Sequence, residues 1–500
     1  MRQFATSLVY FCFSFLLQGM DADAHFFDNR FYQPASNNLI FNFNVTGFNN
    51  YLLPPNISGV VNDPTDPAAT IGIDLLVKEN NSELDIAAYT LMADNDNDSV
   101  AGTRNILIEK YHGHAVVKIV PVGVGYSIIT LTLMKEKFEK TLVINYTASN
   151  PAVVDRTVKA ETKPAATFWH TGICDASDLI PLDDNFMLIG DDEKNGLYLY
   201  NRKKSGGPLK TFSYGNLLGL TDCEEGVCLE TDVEAAVKSI AHKDRIYWMG
   251  SMSNGKAPKA KDRPNRNRIF ATDVKGIRAD VSFSFVGYYS GLRESLLHWG
   301  DDNNYKLSKA ASDGRDPKEK DGFNAEGIVF APDNTTLYIG LRAPLVPLKI
   351  RDKALIAPLL NFETWFNNGS PAGKPSFGQP VELNLDGRSI RDMVRLSNGV
   401  YIIAAGSCDG TPNSALYKWT GVATDEPVWL SAFKTTELNI EGIAGVNENG
   451  HLALNQLQLV CDDGSVVLYN DGVEAKHLGI PANKKFHSVL LKANSQVLGK

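Results

Sequence analysis

Basic charge, long apolar segments and familiar catalytic motifs are all scarce in this chain of 500 residues. Lys and Arg total 49 against 58 Asp and Glu, and without a basic excess nucleic acid is not expected as the main partner. Beyond residue 24, no apolar segment is long enough to cross a bilayer. The sequence contains no Gly-X-Ser-X-Gly elbow, P-loop or paired-cysteine zinc motif. These absences argue against a nucleic-acid-binding protein, a membrane-spanning protein and a zinc finger.

Cysteine is limited to six residues, of which five follow the N-terminal segment. Cys223 and Cys228 bracket a tight loop and are predicted to form a local disulfide. Cys408 and Cys461 each precede an acid and a Gly at equivalent repeat positions, so they could pair with one another. Alternatively, either of them could pair with Cys174. The odd number leaves one free thiol.

Residues 1–24 are predicted to be a secretory signal peptide. An early positive charge precedes an apolar stretch over 4–19 and the small-residue exit Ala22-Asp-Ala24. Seven Asn-X-Ser/Thr sequons agree with secretion, and they are Asn44, Asn56, Asn80, Asn97, Asn145, Asn334 and Asn368. The mature protein is therefore expected to be a secreted, extracellular glycoprotein and a monomer.

Residues 25–155 are predicted to form one all-β domain. Alternating apolar and polar residues indicate strands near 115–120, 126–133 and 140–146. The stretches Gly59–Asp74 and Lys118–Leu133 resemble the opening and closing strands of Ig-like modules, and this resemblance implies an Ig-like β-sandwich. The acidic run Asp94–Asp98 lacks the Gly and the distant Glu of an EF-hand loop and is interpreted as a polar turn. Residues 156–168 are assigned to a linker.

Residues 169–500 are predicted to form a β-propeller. Five successive units begin near residues 176, 233, 326, 390 and 441, and each contains four short strand patterns. Repeats of about fifty residues with four strands are typical of propeller blades. Five blades are expected, or six if the insertion 286–322 hides further strands. The predicted fold is thus all-β, an Ig-like sandwich followed by a propeller of four-stranded blades.

One short pattern recurs three times in the propeller region. Thr231–Val237, Phe323–Val329 and Leu438–Ala444 each place Asp or Asn two residues before a Glu, which a small residue and an apolar run follow. A carboxylate is an unusual start for an apolar strand, because burying an unpaired charge is costly. Aligned on this pattern, the five units share one position, which is filled by Ser177, Glu234, Glu326, Arg391 and Glu441. Since the innermost strand of a blade begins at the rim of the central channel, these side chains are expected to meet at one mouth.

This mouth is predicted to hold three kinds of functional residue. The candidate catalytic residues are Glu234, Glu326 and Glu441. The candidate ligands of a divalent cation such as calcium are Asp175, Asp191, Asp192 and Asp462. The arginines expected to bind an anionic group are Arg342, Arg391, Arg263 and Arg266. A structural alternative is that the acids cap backbone amides, that Arg391 neutralises Glu326 or Glu441, and that the basic loop 256–268 is a solvated insertion.

The ordered motifs resemble a family of largely secreted proteins known only as a domain of unknown function. The matching elements are Cys174–Asp178, Asp191–Glu193, Asp232–Ala235 with Tyr247–Ser251, Arg263–Arg266, Asn324–Ile328, Gly340–Pro344, Leu385–Arg391 and Asn439–Ile443. The resemblance spans about 170–490 and implies the propeller without a reaction. The Glu-Gly-Ile element is also similar to that of esterase-like phytase propellers. This chain has Met252 where the family has His, which argues against a catalytic role at that position.

Three functional hypotheses follow from these residues. The first is a metal-dependent hydrolase of phosphoesters, because a cation between carboxylates can polarise an anionic ester and prepare a water nucleophile. The second is a non-catalytic recognition or adhesion protein that binds a glycan or a protein. The third is a purely structural ring of charges in the channel. The expected partner is accordingly a small anionic substrate or another extracellular ligand.

Overall fold

The computed structural model describes residues 39–41, 56–63, 70–72, 77–79, 82–83, 88–111, 114–150, 164–276, 280–366, 373–448 and 451–492. The predicted signal peptide and the sequons at Asn44, Asn80 and Asn368 lie outside these residues. No helix among the described residues is long and apolar enough to cross a membrane.

The N-terminal region is a β-sandwich. Its described strands are β1 (Leu39–Phe41), β2 (Asn56–Val60), β3 (Thr70–Gly72), β4 (Val77–Glu79), β5 (Ser82–Glu83), β6 (Thr90–Asn95), β7 (Ile106–Tyr111), β8 (His114–Ile119), β9 (Gly125–Lys135) and β10 (Phe138–Ser149). One sheet has the order β2-β10-β9-β6 and another the order β3-β8-β7. Alternate residues of β9, such as Ile129 and Leu131, join Val117 of β8 in a single buried cluster. Two sheets that share one core in this way make a sandwich.

Residues 164–492 contain five four-stranded antiparallel sheets within the described part of the chain. Sheet 1 comprises β12 (Ala176–Pro181), β13 (Phe186–Asp191), β14 (Gly196–Asn201) and β15 (Lys210–Ser213). A small hairpin of β16 (Cys223–Glu224) and β17 (Val227–Cys228) follows. Sheet 2 comprises β18 (Val233–Lys238), β19 (Arg245–Gly250), β20 (Ile269–Lys275) and β21 (Ser282–Tyr289).

The remaining three sheets repeat the same order. Sheet 3 comprises β22 (Asn324–Phe330), β23 (Leu337–Ala343), β24 (Lys353–Leu359) and β25 (Val381–Asn384). Sheet 4 comprises β26 (Ser389–Arg395), β27 (Tyr401–Gly406), β28 (Ala415–Trp419) and β29 (Val428–Trp429). Sheet 5 comprises β30 (Ile440–Glu448), β31 (His451–Cys461), β32 (Lys485–Lys492) and the earlier strand β11 (Pro164–Thr171).

The five sheets form a closed ring. The first strands β12, β18, β22, β26 and β30 each contact the next one, and β30 contacts β12. This cyclic arrangement of four-stranded sheets is that of a β-propeller. The all-β prediction is therefore confirmed.

Sheet 5 closes the ring by joining the two ends of the propeller region. Its outermost strand β11 pairs antiparallel with β32. The predicted linker differs from this arrangement, because its residues 164–168 belong to β11. The apolar stretch 465–469 is also predicted to be a strand of the fifth unit, but it forms no strand. Leu468 and Tyr469 instead pack beside Trp169 of β11 in a cluster next to the sandwich. The apolar residues Leu468 and Tyr469 therefore cover the junction between the two domains and do not extend a sheet.

Four α-helices complete the described structure, namely α1 (Asp98–Ala101), α2 (Leu292–Asp302), α3 (Leu307–Ala310) and α4 (Phe362–Trp365). The helices α2 and α3 lie in the insertion that could have held a sixth set of strands. Leu292, Leu296 and Trp299 recur at helical spacing and pack into the core shared by sheets 2 and 3. The described part of this insertion therefore covers a sheet interface and adds no sheet of its own.

A buried lysine connects the sandwich to the propeller. Lys485 of β32 is fully buried, and its Nζ donates to the carbonyl of Thr147 at 3.1 Å and to that of Gly59 at 3.3 Å. The same Nζ lies over the rings of Trp169 and Tyr469. Ser58 adds a hydrogen bond from its Oγ to the carbonyl of Trp169 at 3.1 Å. Desolvated backbone carbonyls and aromatic faces together stabilise this cation at the junction.

Candidate functional site

All five first strands contain a β-bulge at the same place. The strand pairing with the neighbouring strand skips one residue in each sheet, and the skipped residues are Ser177, Glu234, Glu326, Arg391 and Glu441. A bulge leaves its extra residue without a ladder partner and redirects its side chain. The position aligned in the sequence is therefore the bulged position of every innermost strand, which explains why a carboxylate is tolerated there.

Three of the bulged residues form a buried ion-pair network with Arg342. Glu326 is fully buried, and its Oε1 accepts a hydrogen bond from Nη1 of Arg342 at 2.5 Å. The other oxygen of Glu326 lies 3.1 Å from Nη1 of Arg391. Arg391 also donates through Nε to Glu441 at 3.0 Å and through Nη2 to the second oxygen of that carboxylate. The predicted anion-binding arginines Arg342 and Arg391 are thus engaged by two of the predicted catalytic carboxylates.

The third predicted catalytic carboxylate belongs to a different group. Carboxylate oxygens of Asp192, Asp232 and Glu234 all lie within 4.8 Å of one another. Asp192 follows the end of β13, Asp232 directly precedes β18, and Glu234 is the second residue of β18, so two neighbouring sheets supply the group. We call these three residues the carboxylate triad. Within the described residues it is the one group of three or more potential ligands with this spacing.

Local backbone and side-chain contacts position Asp232 in the triad. Its φ is +57°, a left-handed conformation that non-glycine residues rarely adopt and that occurs preferentially at functional sites. Its Oδ2 lies 3.0 Å from Nη1 of Arg266 and accepts a hydrogen bond from the hydroxyl of Ser251. The sequence register had placed Asp232 two residues before Glu234, but the predicted ligands did not include it.

The electrostatics of the triad favour a cation. Burial, followed by repulsion from Glu234 and Asp175, raises the pKa of Asp192 well above its usual value. Burial, followed by repulsion from Glu326 and Asp232, likewise raises the pKa of Glu234. In the described structure, one buried oxygen of Asp192 has no hydrogen-bond partner. Arg266 offsets part of this negative charge at Asp232, and protons or a cation could offset the remainder.

The other predicted metal ligands lie around the triad and make local contacts. Asp191 accepts a hydrogen bond from the amide of Glu193, and burial raises its pKa to about 8. Asp462 accepts from the amide of Gly464 at 2.7 Å and from the side chain of Asn439 at 3.1 Å, and burial raises its pKa to about 6.

Asp175 accepts a contact at 2.8 Å from the thiol of Cys174, and burial raises the pKa of Asp175. Asp175 and Asp462 both act electrostatically on Asp192. Among the predicted metal ligands, Asp192 alone shares the close spacing of the triad.

A polar cavity of about 320 Å³ adjoins the triad at Asp232. It is lined by three acids and three bases, which are Glu193, Glu230, Asp232, Lys256, Arg263 and Arg266. Arg266 lies 2.8 Å from Glu230, and Arg263 lies 3.3 Å from Glu230 and 2.9 Å from Asp222. Lys256 makes a more exposed pair with Glu193 at 3.3 Å. The predicted anion-binding pair Arg263 and Arg266 therefore borders a cavity whose charges are balanced.

The loop that carries these bases is fixed by the helical insertion. Arg293 of α2 donates through Nε to the carbonyl of Met252 and through Nη2 to the side chain of Asn254, both at 2.9 Å. Its Nη1 lies 3.2 Å from Asp262. The insertion thus anchors the segment that leads into the basic loop and the middle of the loop, a role that the repeat pattern gave no means of finding.

The cysteines follow the prediction only in part. Cys223 and Cys228 form the predicted disulfide. The suggested Cys408–Cys461 pairing is wrong, because both residues and Cys174 are free, buried thiols. Cys408 donates to the carbonyl of Arg342 at 3.2 Å, and Cys461 belongs to the neighbouring sheet, where it interacts with His487.

Comparisons with known proteins give slight similarities. No family model and no curated protein matches the chain. A solved DUF4623 family protein from Bacteroides eggerthii is 7% identical with a TM-score of 0.28, and the match covers 78% of this chain and 86% of that one. The Cps50 (Swd1) β-propeller domain from Myceliophteria thermophila is 8% identical with a TM-score of 0.25, covering 64% and 97%.

A fucose-specific lectin from Aleuria aurantia is 10% identical with a TM-score of 0.24, covering 75% of this chain and 88% of the lectin. Similarities at this level carry no argument about function. The architecture rests on the sheet topology, and the function must be argued from the site.

Proposed function

We propose that this chain is a secreted propeller protein of five blades, preceded by an Ig-like module, that binds a divalent cation at the carboxylate triad. We further propose that it hydrolyses a small anionic ester, a phosphoester in the first instance, in the adjoining cavity. The observation that carries the proposal is the convergence of Asp192, Asp232 and Glu234 within 4.8 Å beside three basic side chains.

The donor set of the triad fits a hard cation. Calcium and magnesium prefer carboxylate oxygens, and the triad supplies oxygens without nitrogen or sulfur. A bound cation would offset the repulsion that raises the pKa of Asp192 and Glu234. It would also give a partner to the buried Asp192 oxygen that makes no hydrogen bond within the described structure.

The cavity supports binding of an anion next to that cation. Lys256 is largely exposed, and exposed ion pairs such as the one it makes with Glu193 contribute at most about 1 kcal/mol. Its ammonium group can therefore turn from Glu193 to a substrate phosphate at little cost. Arg266 links the two parts of the site, because it contacts both Asp232 of the triad and Glu230 of the cavity wall.

Each group then has a distinct task in the proposed reaction. A cation at the triad would supply Lewis-acid polarisation and lower the pKa of a bound water. The triad residues hold the cation, Arg266 keeps Asp232 in place, and Lys256 and Arg263 orient the ester. Glu326, Glu441, Arg342 and Arg391 stabilise the channel wall behind the site, so their role in this proposal is structural.

The balanced charge of the cavity favours a second candidate function. Three acids offset three bases, and Arg263 and Arg266 are already paired with carboxylates. Such a cavity also suits an uncharged, hydroxyl-rich ligand, such as a glycan, that the cation would help to hold without turnover. Recognition of an extracellular ligand is therefore the alternative.

A comparison of turnover with binding tests the two functions. Purified protein would be assayed with p-nitrophenyl phosphate, bis-p-nitrophenyl phosphate and phytate, with calcium or with a chelator. We expect chelator-sensitive hydrolysis that Glu234→Gln and Asp232→Asn abolish, while the surface control Glu474→Gln retains it. Hydrolysis that persists in Glu234→Gln would rule out the assigned site. Cation-dependent glycan binding with no turnover would replace the hydrolase by the recognition protein.

A further inference from the structure

A second cavity, of about 350 Å³, lies at the other end of the propeller channel. Residues from all five first strands border it, and they come from the later parts of β12, β18, β22, β26 and β30. The carboxylate triad lies at the opposite end, because it is formed where β18 begins and β13 ends. Ile240, at 48% exposure, marks the solvent side of this second cavity.

Two buried carboxylates border this cavity directly after bulged residues. Asp178 follows Ser177 and Asp392 follows Arg391, whereas the equivalent residues of the other three first strands are Ala235, Gly327 and Gly442. Asp178 is 2% exposed and Asp392 is 4% exposed. The two carboxylates interact electrostatically, although sheets 1 and 4 are not neighbours in the ring.

The hydrogen bonds of the two carboxylates differ. Asp392 accepts from the amide of Met393 at 2.6 Å and, through its other oxygen, from the amide of Ile443 at 2.7 Å. Asp178 accepts from the amide of Leu179 through Oδ1. Its Oδ2 makes no hydrogen bond of full geometry among the residues that the structure describes, although the backbone amide of Ala236, the counterpart of the Ile443 amide, interacts with this carboxylate. A buried carboxylate oxygen left in this state is costly, and a donor in the cavity would remove that cost.

The rest of the cavity combines apolar walls with basic groups. The walls include Ile180, Val237, Ile328, Val329, Met393 and Ile443. Arg202, Lys238 and Arg395 also line the cavity, so three bases accompany Asp178, Asp183 and Asp392. Lys238 ends β18 three residues after Ala235, which occupies the same register position as Asp178. Three residues of a β-strand span about 10 Å, so Lys238 lies about 10 Å along β18 from Ala235.

The composition of the cavity favours an organic cation over a metal ion. Calcium requires about six to eight oxygen ligands. Here two carboxylates face largely apolar walls, and both oxygens of Asp392 already accept backbone hydrogen bonds. An ammonium group needs only a few acceptors, and an attached carbon chain would bury the apolar walls.

We propose that this cavity binds a small zwitterionic amine, whose ammonium group donates to Asp178 and Asp392 and whose carboxylate faces Lys238. The carbon chain between the two charges lies against the apolar walls. This site is independent of the carboxylate triad and of the hydrolase proposal. Burial also raises the pKa of Asp392 to about 7 and that of Asp178 well above its usual value, so an ammonium group would bind in exchange for protons on this pair.

Isothermal titration calorimetry on the full chain with 6-aminohexanoate, n-hexylamine and n-hexanoate tests this inference. We expect 6-aminohexanoate to bind most tightly and n-hexanoate not to bind. Asp178→Asn should weaken both amines by about tenfold or more, the typical effect of losing a charged hydrogen-bond partner. Lys238→Met should weaken 6-aminohexanoate and leave n-hexylamine unchanged. The control Lys243→Met, on the exposed turn that follows β18, should change neither affinity.

Asp392→Asn replaces one of the two oxygens that accept from backbone amides by a donor and could disturb the fold, so the decisive variants are Asp178→Asn and Lys238→Met. Failure of all three compounds to bind would overturn the proposal. An affinity for 6-aminohexanoate that Asp178→Asn leaves unchanged would do the same. A calcium site that is lost in Asp178→Asn would show that the cavity holds a metal ion instead.

Discussion

Replacement of Glu326 by Gln is expected to destabilise the propeller without removing cation binding. Glu326 is fully buried and contacts two arginines, Arg342 at 2.5 Å and Arg391 at 3.1 Å. Glutamine keeps the size of the side chain but removes its charge. Arg391 retains its ion pair with Glu441, whereas Arg342 retains no ion pair within the described structure and keeps its hydrogen bond to the carbonyl of Cys408.

The size of the effect follows from the burial of the pair. Removing one partner of a buried ion pair typically costs about 3–5 kcal/mol, because the remaining charge stays desolvated. Each kcal/mol lowers the melting temperature of a large domain by about 2–4 °C. We therefore expect Glu326→Gln to lower the melting temperature by roughly 10 °C.

Denaturant unfolding and calorimetry of the variant measure this loss. Arg315→Gln provides the control, because Arg315 forms a half-exposed pair with Asp321 and its loss should cost less than about 1 kcal/mol. The double variant Glu326→Gln with Arg342→Met should recover part of the stability, since no unpaired guanidinium then remains at that position. A Glu326→Gln protein of wild-type stability that no longer binds cation would refute this reasoning and make Glu326 a functional residue.

Two further predictions concern the triad and the domain junction. Since burial and repulsion between the carboxylates raise the pKa of Asp192 and that of Glu234, cation binding should release protons from the triad, and cation affinity should rise with pH. Titration calorimetry in buffers of different ionisation enthalpy would detect the released protons, and a flat profile would contradict the assigned ligands. Lys485→Met should destabilise the junction by about 1–3 kcal/mol, because it leaves the carbonyls of Thr147 and Gly59 without this donor. Limited proteolysis should then cut faster between sandwich and propeller than in wild-type protein, and unchanged cleavage would exclude this role.

The sequence was sufficient to predict the repeating architecture, because each unit of that architecture produces a local pattern of apolar and polar residues. Short alternating strands recur in each unit, and the aligned Glu, Arg and Ser positions proved to be the bulge of every first strand. The fourth strand of sheet 5 was missed because its partner lies about three hundred residues away in the chain. No local pattern distinguishes strand 164–171 from a linker.

The chemistry of the site was harder to predict, because charge pairing depends on distances between sheets. The register brought Glu234, Glu326 and Glu441 together, but it could not show that Arg391 binds two of them. The proposed ligand Asp232 and the pair Asp178 and Asp392 appear in the sequence as acids within two residues of the bulged positions. The packing of the ring decides which acids approach one another and which pair with arginine, and Asp232 does both.

Calcium binding to chelator-treated protein is the most direct test of the central claim that Asp192, Asp232 and Glu234 form a cation site. Titration calorimetry should find one site in the wild type and a large loss of affinity in both Asp232→Asn and Glu234→Gln. The control Glu474→Gln should bind as the wild type does. Wild-type affinity in both triad variants, or no binding of calcium, magnesium or manganese by the wild type, would contradict the account.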